Sequence, residues 1–134
     1  MITWHEGETT CPGNSNAGPL QRLSRAEEVQ IETQRDAQGP AHRVTIWVVV
    51  NGDDVYVRSV RGASARWYRE ITAHPVGALH VDGQRIPVHA IPATDERSIA
   101  RASAGYQRKY ARSPFVGSMV REAVLPTTLR LEPI

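Results

Sequence analysis

Asn51-Gly52 stands between two β-rich runs, Arg43 to Val50 and Val55 to Val57. Both residues accept positive φ, so the pair predicts a type I′ turn and a β-hairpin. A second signal, Asp82-Gly83, joins the apolar stretch Ala78 to Val81 to the alternating Ile86, Val88 and Ala90. Two short hairpins commit the middle of the chain to antiparallel pairing, because parallel strands need long crossovers.

Further period-two runs extend the sheet. Val29, Ile31 and Thr33 alternate with polar neighbours and predict a half-buried strand, followed by a turn at Gly39-Pro40. The β-branched run from Arg43 to Val50 reads as one strand covered on both faces, with one face of Ile46 to Val50 expected against a partner subunit. Pro87 and Pro92 predict an edge position or a bulge for the return strand of the second hairpin. Thr127 to Leu131 closes the chain as a strand.

Helices fall outside this pattern. Ser24, with Glu27 at capping-box spacing, predicts a helix start. Residues 63–74 place Trp67, Ile71 and His74 on one face, and Pro75 stops the helix. Thr94 or Asp95 caps a helix reaching about Tyr110, and a further helical piece covers Phe115 to Ala123. The expectation is an α+β fold, a six-stranded antiparallel barrel with peripheral helices, over residues 21–134. Residues 1–20, rich in Gly, Pro, Asn and Ser, are expected to form a flexible N-terminal tail with no chemistry placed on it, Cys11 included.

The 134 residues suit one domain. No apolar stretch approaches the ~20 residues of a membrane span. The N-terminus lacks a basic region followed by an apolar block, so the expected location is cytoplasmic. A single cysteine excludes an intrachain disulfide. Five histidines show no metal-ligand spacing, so no metal is expected, although His80 and His89 are expected to face each other across the second hairpin. No serine has a Gly-x-Ser-x-Gly setting and no carboxylate pair stands out, so acid–base or covalent catalysis by the chain itself has little support.

Arginine is the unusual feature. Fifteen of the sixteen basic residues are arginine and only Lys109 is lysine, and residues 97–121 carry six basic residues and no acid. A net charge of +2 is too low to argue for bulk nucleic-acid binding, and that segment also reads as a solvated helix face. Arg58-Ser59-Val60-Arg61-Gly62-Ala63-Ser64 joins a strand to a helix through a Gly-containing loop. Arginine forks, hydroxyls and a close-approaching backbone suit an anion such as phosphate. Within that site Arg61 ranks first, Ser59 second and Arg58 third, while Arg121 is expected to be remote.

Several strings resemble the deazaflavin-dependent nitroreductase-like branch of the FMN-binding split-barrel superfamily. Gly39-Pro40-Ala41-His42-Arg43-Val44-Thr45-Ile46-Trp47 is similar to the stretch entering its first core strand, and Asn51 to Val57 is similar to its hairpin. Arg58-Ser59-Val60-Arg61-Gly62 resembles its phosphate turn, Trp67 to Pro75 its Trp-Tyr helix, and Leu131-Glu132-Pro133 its end. The nearest resemblance is to a small bacterial family of unknown function. Three positions differ. Asp36-Ala37-Gln38 replaces a basic pair, Ala63 replaces the second glycine of the turn, and Glu70 replaces a helix asparagine.

The resemblance implies a six-stranded split barrel, usually a homodimer, with FMN or the deazaflavin coenzyme in a groove near the subunit interface. Ser59, Arg61 and Gly62 would then hold phosphate, and Thr45 and Trp47 would lie near the rings. The full candidate set is Arg43, Thr45, Trp47, Arg58, Ser59, Arg61, Gly62, Ser64 and Trp67. Core packing is the competing role for both tryptophans. The implied function is a flavin- or deazaflavin-binding oxidoreductase. The alternative is a non-catalytic split-barrel module that binds another anionic ligand or none.

Overall fold

A computed structural model describes residues 18–134. Residues 1–17 of the expected tail, Cys11 among them, lie outside the described residues. Pro19 opens helix α1 (Pro19–Arg25), where its missing N–H costs nothing. Ser24 therefore sits in the last turn of that helix and caps nothing. The strands are β1 (Val29–Thr33), β2 (His42–Ile46), β3 (Val49–Asn51), β4 (Asp54–Val57), β5 (Val76–Val81), β6 (Gln84–Pro92) and β7 (Leu129–Pro133). Between them come α2 (Arg66–Ala73), α3 (Glu96–Lys109) and α4 (Val116–Val120).

Both hairpins form, with one change of turn. Asp82 and Gly83 both have positive φ between paired Val81 and Gln84, as a type I′ turn requires. In the first hairpin Asn51 pairs with Asp54, so the turn residues are Gly52 and Asp53. Only Gly52 has positive φ, which is the type II′ requirement.

All seven strands form one antiparallel sheet in the order β2-β1-β5-β6-β7-β4-β3. Its two edge strands are neighbours in sequence, separated only by Trp47 and Val48. That short link forces the sheet to curl until its edges approach. The expected strand from Arg43 to Val50 thus breaks in two, which is why seven strands stand where six were expected.

β6 pairs on both sides and is no edge. Its Pro87 is tolerated because the Pro87 carbonyl accepts from the Ile134 amide, so its nitrogen faces the chain end beyond β7. His80 and His89 do not face each other. His80 pairs with Arg85 and His89 with Val76, and the His80 Nε2 lies 2.7 Å from Glu32.

Alternation divides the sheet's two faces. Val55 and Val57 of β4 point into the curl with Ile31, Leu79, Val88 and Leu131, where Leu23 of α1 and Trp67 and Ile71 of α2 complete the core. Tyr56 and Val49 point outward, against Ala102 and Tyr106 of α3. The chain itself therefore covers Ile46 to Val49, and no partner subunit is needed there. β2, in contrast, exposes Arg43, Val44 and Thr45 rather than burying both faces. Asp95 caps α3 by accepting from the Ser98 amide at 3.0 Å.

Candidate functional site

β2, the turn after β4 and the starts of α2 and α4 enclose a cavity of about 900 Å³. Arg43, Thr45, Trp47, Arg58, Ser59, Arg61 and Trp67 line it, whereas Gly62 and Ser64 do not. The sequence segments converge because the curled sheet brings β2 beside the β4–α2 connection, far from it in strand order.

The Arg58–Ser64 turn differs from the expected phosphate cradle. Arg58 is only 1 % exposed. Its Nε donates to Thr128 Oγ1 (2.8 Å), its Nη1 to Ser103 Oγ and Met119 O (2.9 Å each), and its Nη2 to Ile99 O (3.0 Å). The guanidinium also lies over the Tyr106 ring, 5.6 Å from its centroid. Burial pulls its pKa below the ordinary arginine value. Arg58 thus ties the end of β4 to α3, α4 and the segment before β7, and four of its five N–H donors are committed to the protein.

Ser59 is similarly engaged. Its hydroxyl donates to the Gly62 carbonyl at 2.7 Å, and its amide donates to Thr127 Oγ1 at 3.0 Å. Gly62 is required here for its φ of +75°, which closes the turn through a bond from its amide to Ser59 O. The Ser64 hydroxyl donates to Arg61 O on the exposed side of the turn. Arg121 is not remote, because its Nη2 donates to Val60 O at 2.9 Å, beside the cavity.

The anion-binding capacity lies in three other guanidinium groups. Arg43, Arg61 and Arg66 are exposed and line the cavity, and their guanidinium groups have no partner among the described residues. Among the described residues Glu28 is the only carboxylate on the wall. The sequence offers Arg66 as a further charged fork beside Arg58 and Arg61, outside the candidate set.

The apolar wall combines Trp47, Trp67, Val44, Val60, Phe115 and Met119. One face of Trp47 stacks on Tyr110 at 3.9 Å and 4°. Trp67 is mostly core, edge-on to Tyr68. Phe115 is 68 % exposed, unusual for a large aromatic in a small protein.

Sequence reasoning missed His42. It lines the cavity and its Nδ1 lies 3.1–3.2 Å from both carboxylate oxygens of Glu70. The Thr33 hydroxyl donates to Glu70 Oε1 at 2.7 Å. The family difference at Glu70 is therefore matched by a partner 28 residues earlier in the chain. No short-range signal announces such a pair. Among the described residues, no group of three or more His, Cys, Asp or Glu is arranged to hold a metal ion.

Comparison with solved structures finds the same fold at low identity. The heme storage protein HutZ from Vibrio cholerae matches with a TM-score of 0.59 and 17 % identity, over 85 % of this chain and 86 % of that one. An F420-H2 dependent reductase matches at 0.60 and 13 %, over 79 % and 93 %. An FMN-binding protein from Syntrophomonas wolfei matches at 0.58 and 14 %, over 86 % and 82 %. These likenesses establish the split-barrel fold. No curated protein matches the chain. A sequence profile of uncharacterized proteins conserved in bacteria matches residues 19–131. The chain belongs to that bacterial family, DUF2255.

Proposed function

We propose that this protein binds an anionic, ring-bearing coenzyme of flavin type, FMN or the deazaflavin coenzyme, in the cavity beside β2. The observation that carries this reading is three unpartnered guanidinium groups, Arg43, Arg61 and Arg66, on a cavity whose opposite character is aromatic and apolar. A volume of about 900 Å³ lies within the usual range of ligand pockets, about 300–1,000 Å³. The three guanidinium groups would hold phosphate or carboxylate oxygens, and Trp47 and Phe115 offer faces to a ring. When bound, such a coenzyme supplies the electron-transfer chemistry, and the chain binds and orients it. Similarity to an FMN-binding protein and an F420-H2 dependent reductase supports the reading.

The test is titration of the full chain with FMN and with the deazaflavin coenzyme at fixed salt. Arg61→Ala is expected to weaken binding about ten- to a hundredfold, from loss of a charge-assisted contact of ~1.5–3 kcal/mol. Arg108→Ala, on the exposed side of α3, serves as the control and changes little. Absence of binding at high micromolar concentration replaces this reading with a non-flavin module. The internal engagement of Arg58 and Ser59 favours that second reading, and heme and inorganic phosphate are its first probes.

The same cavity supports a homodimer. β2 is an edge strand with exposed Val44, and exposed Val60 and Phe115 lie around the same opening. A bare edge beside apolar side chains is a surface proteins normally cover. A second copy of this chain is the proposed cover, and light scattering at micromolar concentration should give twice the monomer mass. A monomer mass at that concentration removes the proposal.

A further inference from the structure

We propose that His42 is the acid–base group of the cavity. It would take a proton at Nε2 from an N–H or O–H of the bound ligand, or return one, with Glu70 and Thr33 behind it. This rests on the cavity being a ligand site, as proposed above. The ligand class is one that presents a weakly acidic donor, such as a ring imide or a sugar hydroxyl, to the far end of the cavity from Trp47. At ~3.3 Å per strand residue, His42 and Trp47 stand about 16 Å apart. That is long enough for a ligand whose ring, anionic group and donor occupy different parts of the wall.

The tautomer follows from the partners. Glu70 is nearly buried, its side chain 10 % exposed, and its carboxylate accepts from the Thr33 hydroxyl. An ionised carboxylate can only accept, so the His42 Nδ1 facing it carries the proton. The neutral ring then holds its lone pair at Nε2. The His42 side chain remains 32 % exposed, and the residue lines the cavity. Glu70 also faces the ring as a counter-charge when both ring nitrogens are protonated, so a proton that arrives at Nε2 is not left without a partner. Thr33, on β1, holds Glu70 in place and acts only through it. His42 and Thr33 are paired across β1 and β2, and Glu70 reaches both from α2.

Three measurements on the full chain decide the matter. Nitrogen-15 NMR of the free protein should show His42 protonated at Nδ1 and bare at Nε2, and the reverse tautomer overturns the proposal. Diethyl pyrocarbonate, at mildly alkaline pH where imidazoles are neutral, should modify His42. The tryptic peptide Asp36–Arg43 contains no other histidine, so mass spectrometry reads this site alone. Glu70→Gln should slow that modification about fivefold, equivalent to about 1 kcal/mol. Thr33→Val should slow it less and serves as the variant if Glu70→Gln fails to fold. An unreactive His42, or reactivity indifferent to both changes, overturns the proposal. Finally, FMN that quenches on binding should protect His42, and quenching without protection overturns ligand contact at Nε2. If FMN does not quench at all, FMN falls as the ligand, while the tautomer and reactivity results still decide the role of His42.

Discussion

Tyr106 carries a buried hydroxyl that meets no hydrogen-bonding partner among the described residues. Burial also pushes its phenol well above the usual tyrosine range, because ionisation in that setting is costly. The ring is useful, since it packs beneath the Arg58 guanidinium, whereas the cost of desolvating the oxygen is offset only in part by the nearby Arg58. Tyr106→Phe is therefore expected to leave stability unchanged or raise it by about 1 kcal/mol, read from urea midpoints. A clear loss would reveal a partner for the hydroxyl. Lys109, the only lysine, is a clamp. Its Nζ donates to Leu23 O at 2.9 Å and Val48 O at 2.7 Å, joining α1 to the break between β2 and β3. Desolvation brings its pKa down to about 8, below the usual 10.5. Between those values the unfolded chain binds more protons than the folded one, so stability should rise as pH climbs from 8 towards 10.5. Urea unfolding across that window should show the rise, and Lys109→Met should abolish its share of it. Nothing local in the sequence marks this lysine, because its partners are carbonyls 86 and 61 positions away.

Local chemistry governs the elements themselves. The Asp82-Gly83 turn, the Asp95 cap and the Pro75 stop after α2 all act within a few residues, so they were legible in the chain. The break at Trp47-Val48 was not, because nothing in a β-branched run marks where a sheet must stop pairing. What fixes the break is the backbone left without a ladder, as Val48 O is satisfied instead by Lys109 and Tyr110. The hairpin of β3 and β4 is held in the same way from outside the sheet. Asn51 Nδ2 donates to Arg101 O, and Arg101 donates back to Asn51 O and to Asp54. Gly77 shows how tightly strands approach. A Cβ there would collide with the Glu32 carbonyl oxygen and press on Ile71. Gly77→Ala is expected to cost roughly 2–4 kcal/mol, read as a lowered urea midpoint, because backbone rather than a flexible side chain must move. Across the neighbouring strands Glu32 accepts from Arg85 and bonds His80, and the Arg85 partner leads in drawing its carboxyl down to about 2.

The whole molecule is a sheet whose edges are drawn together by a two-residue link, with α2 and α1 filling the curl and α3 covering one outer flank. Among the described residues no helix is long and apolar enough to cross a membrane. The cavity is a product of this curl, since β2 and the β4–α2 turn meet only when the sheet bends round. A ligand that binds the folded barrel and not the unfolded chain must stabilise it. FMN at a hundred times its dissociation constant should add about 2.7 kcal/mol, seen as a raised melting temperature in a thermal scan. The Arg61→Ala protein at the same FMN concentration should show a smaller shift, and an identical shift would move the anion contact away from Arg61.

Sequence alone determined the antiparallel α+β character, the positions of the hairpins, the helix from Asp95 to Tyr110 and the family resemblance. These rest on period, turn residues and short strings, which are local in the chain. Tertiary structure decided which arginines face the cavity and which are consumed. Arg58 and Arg61 lie three residues apart, yet one is locked to Thr128, Ser103, Met119 and Ile99 and the other stands free on the cavity wall. It likewise decided that His42 and Glu70 meet. Those outcomes depend on contacts between segments distant in the chain, and only closure of the sheet brings such segments together.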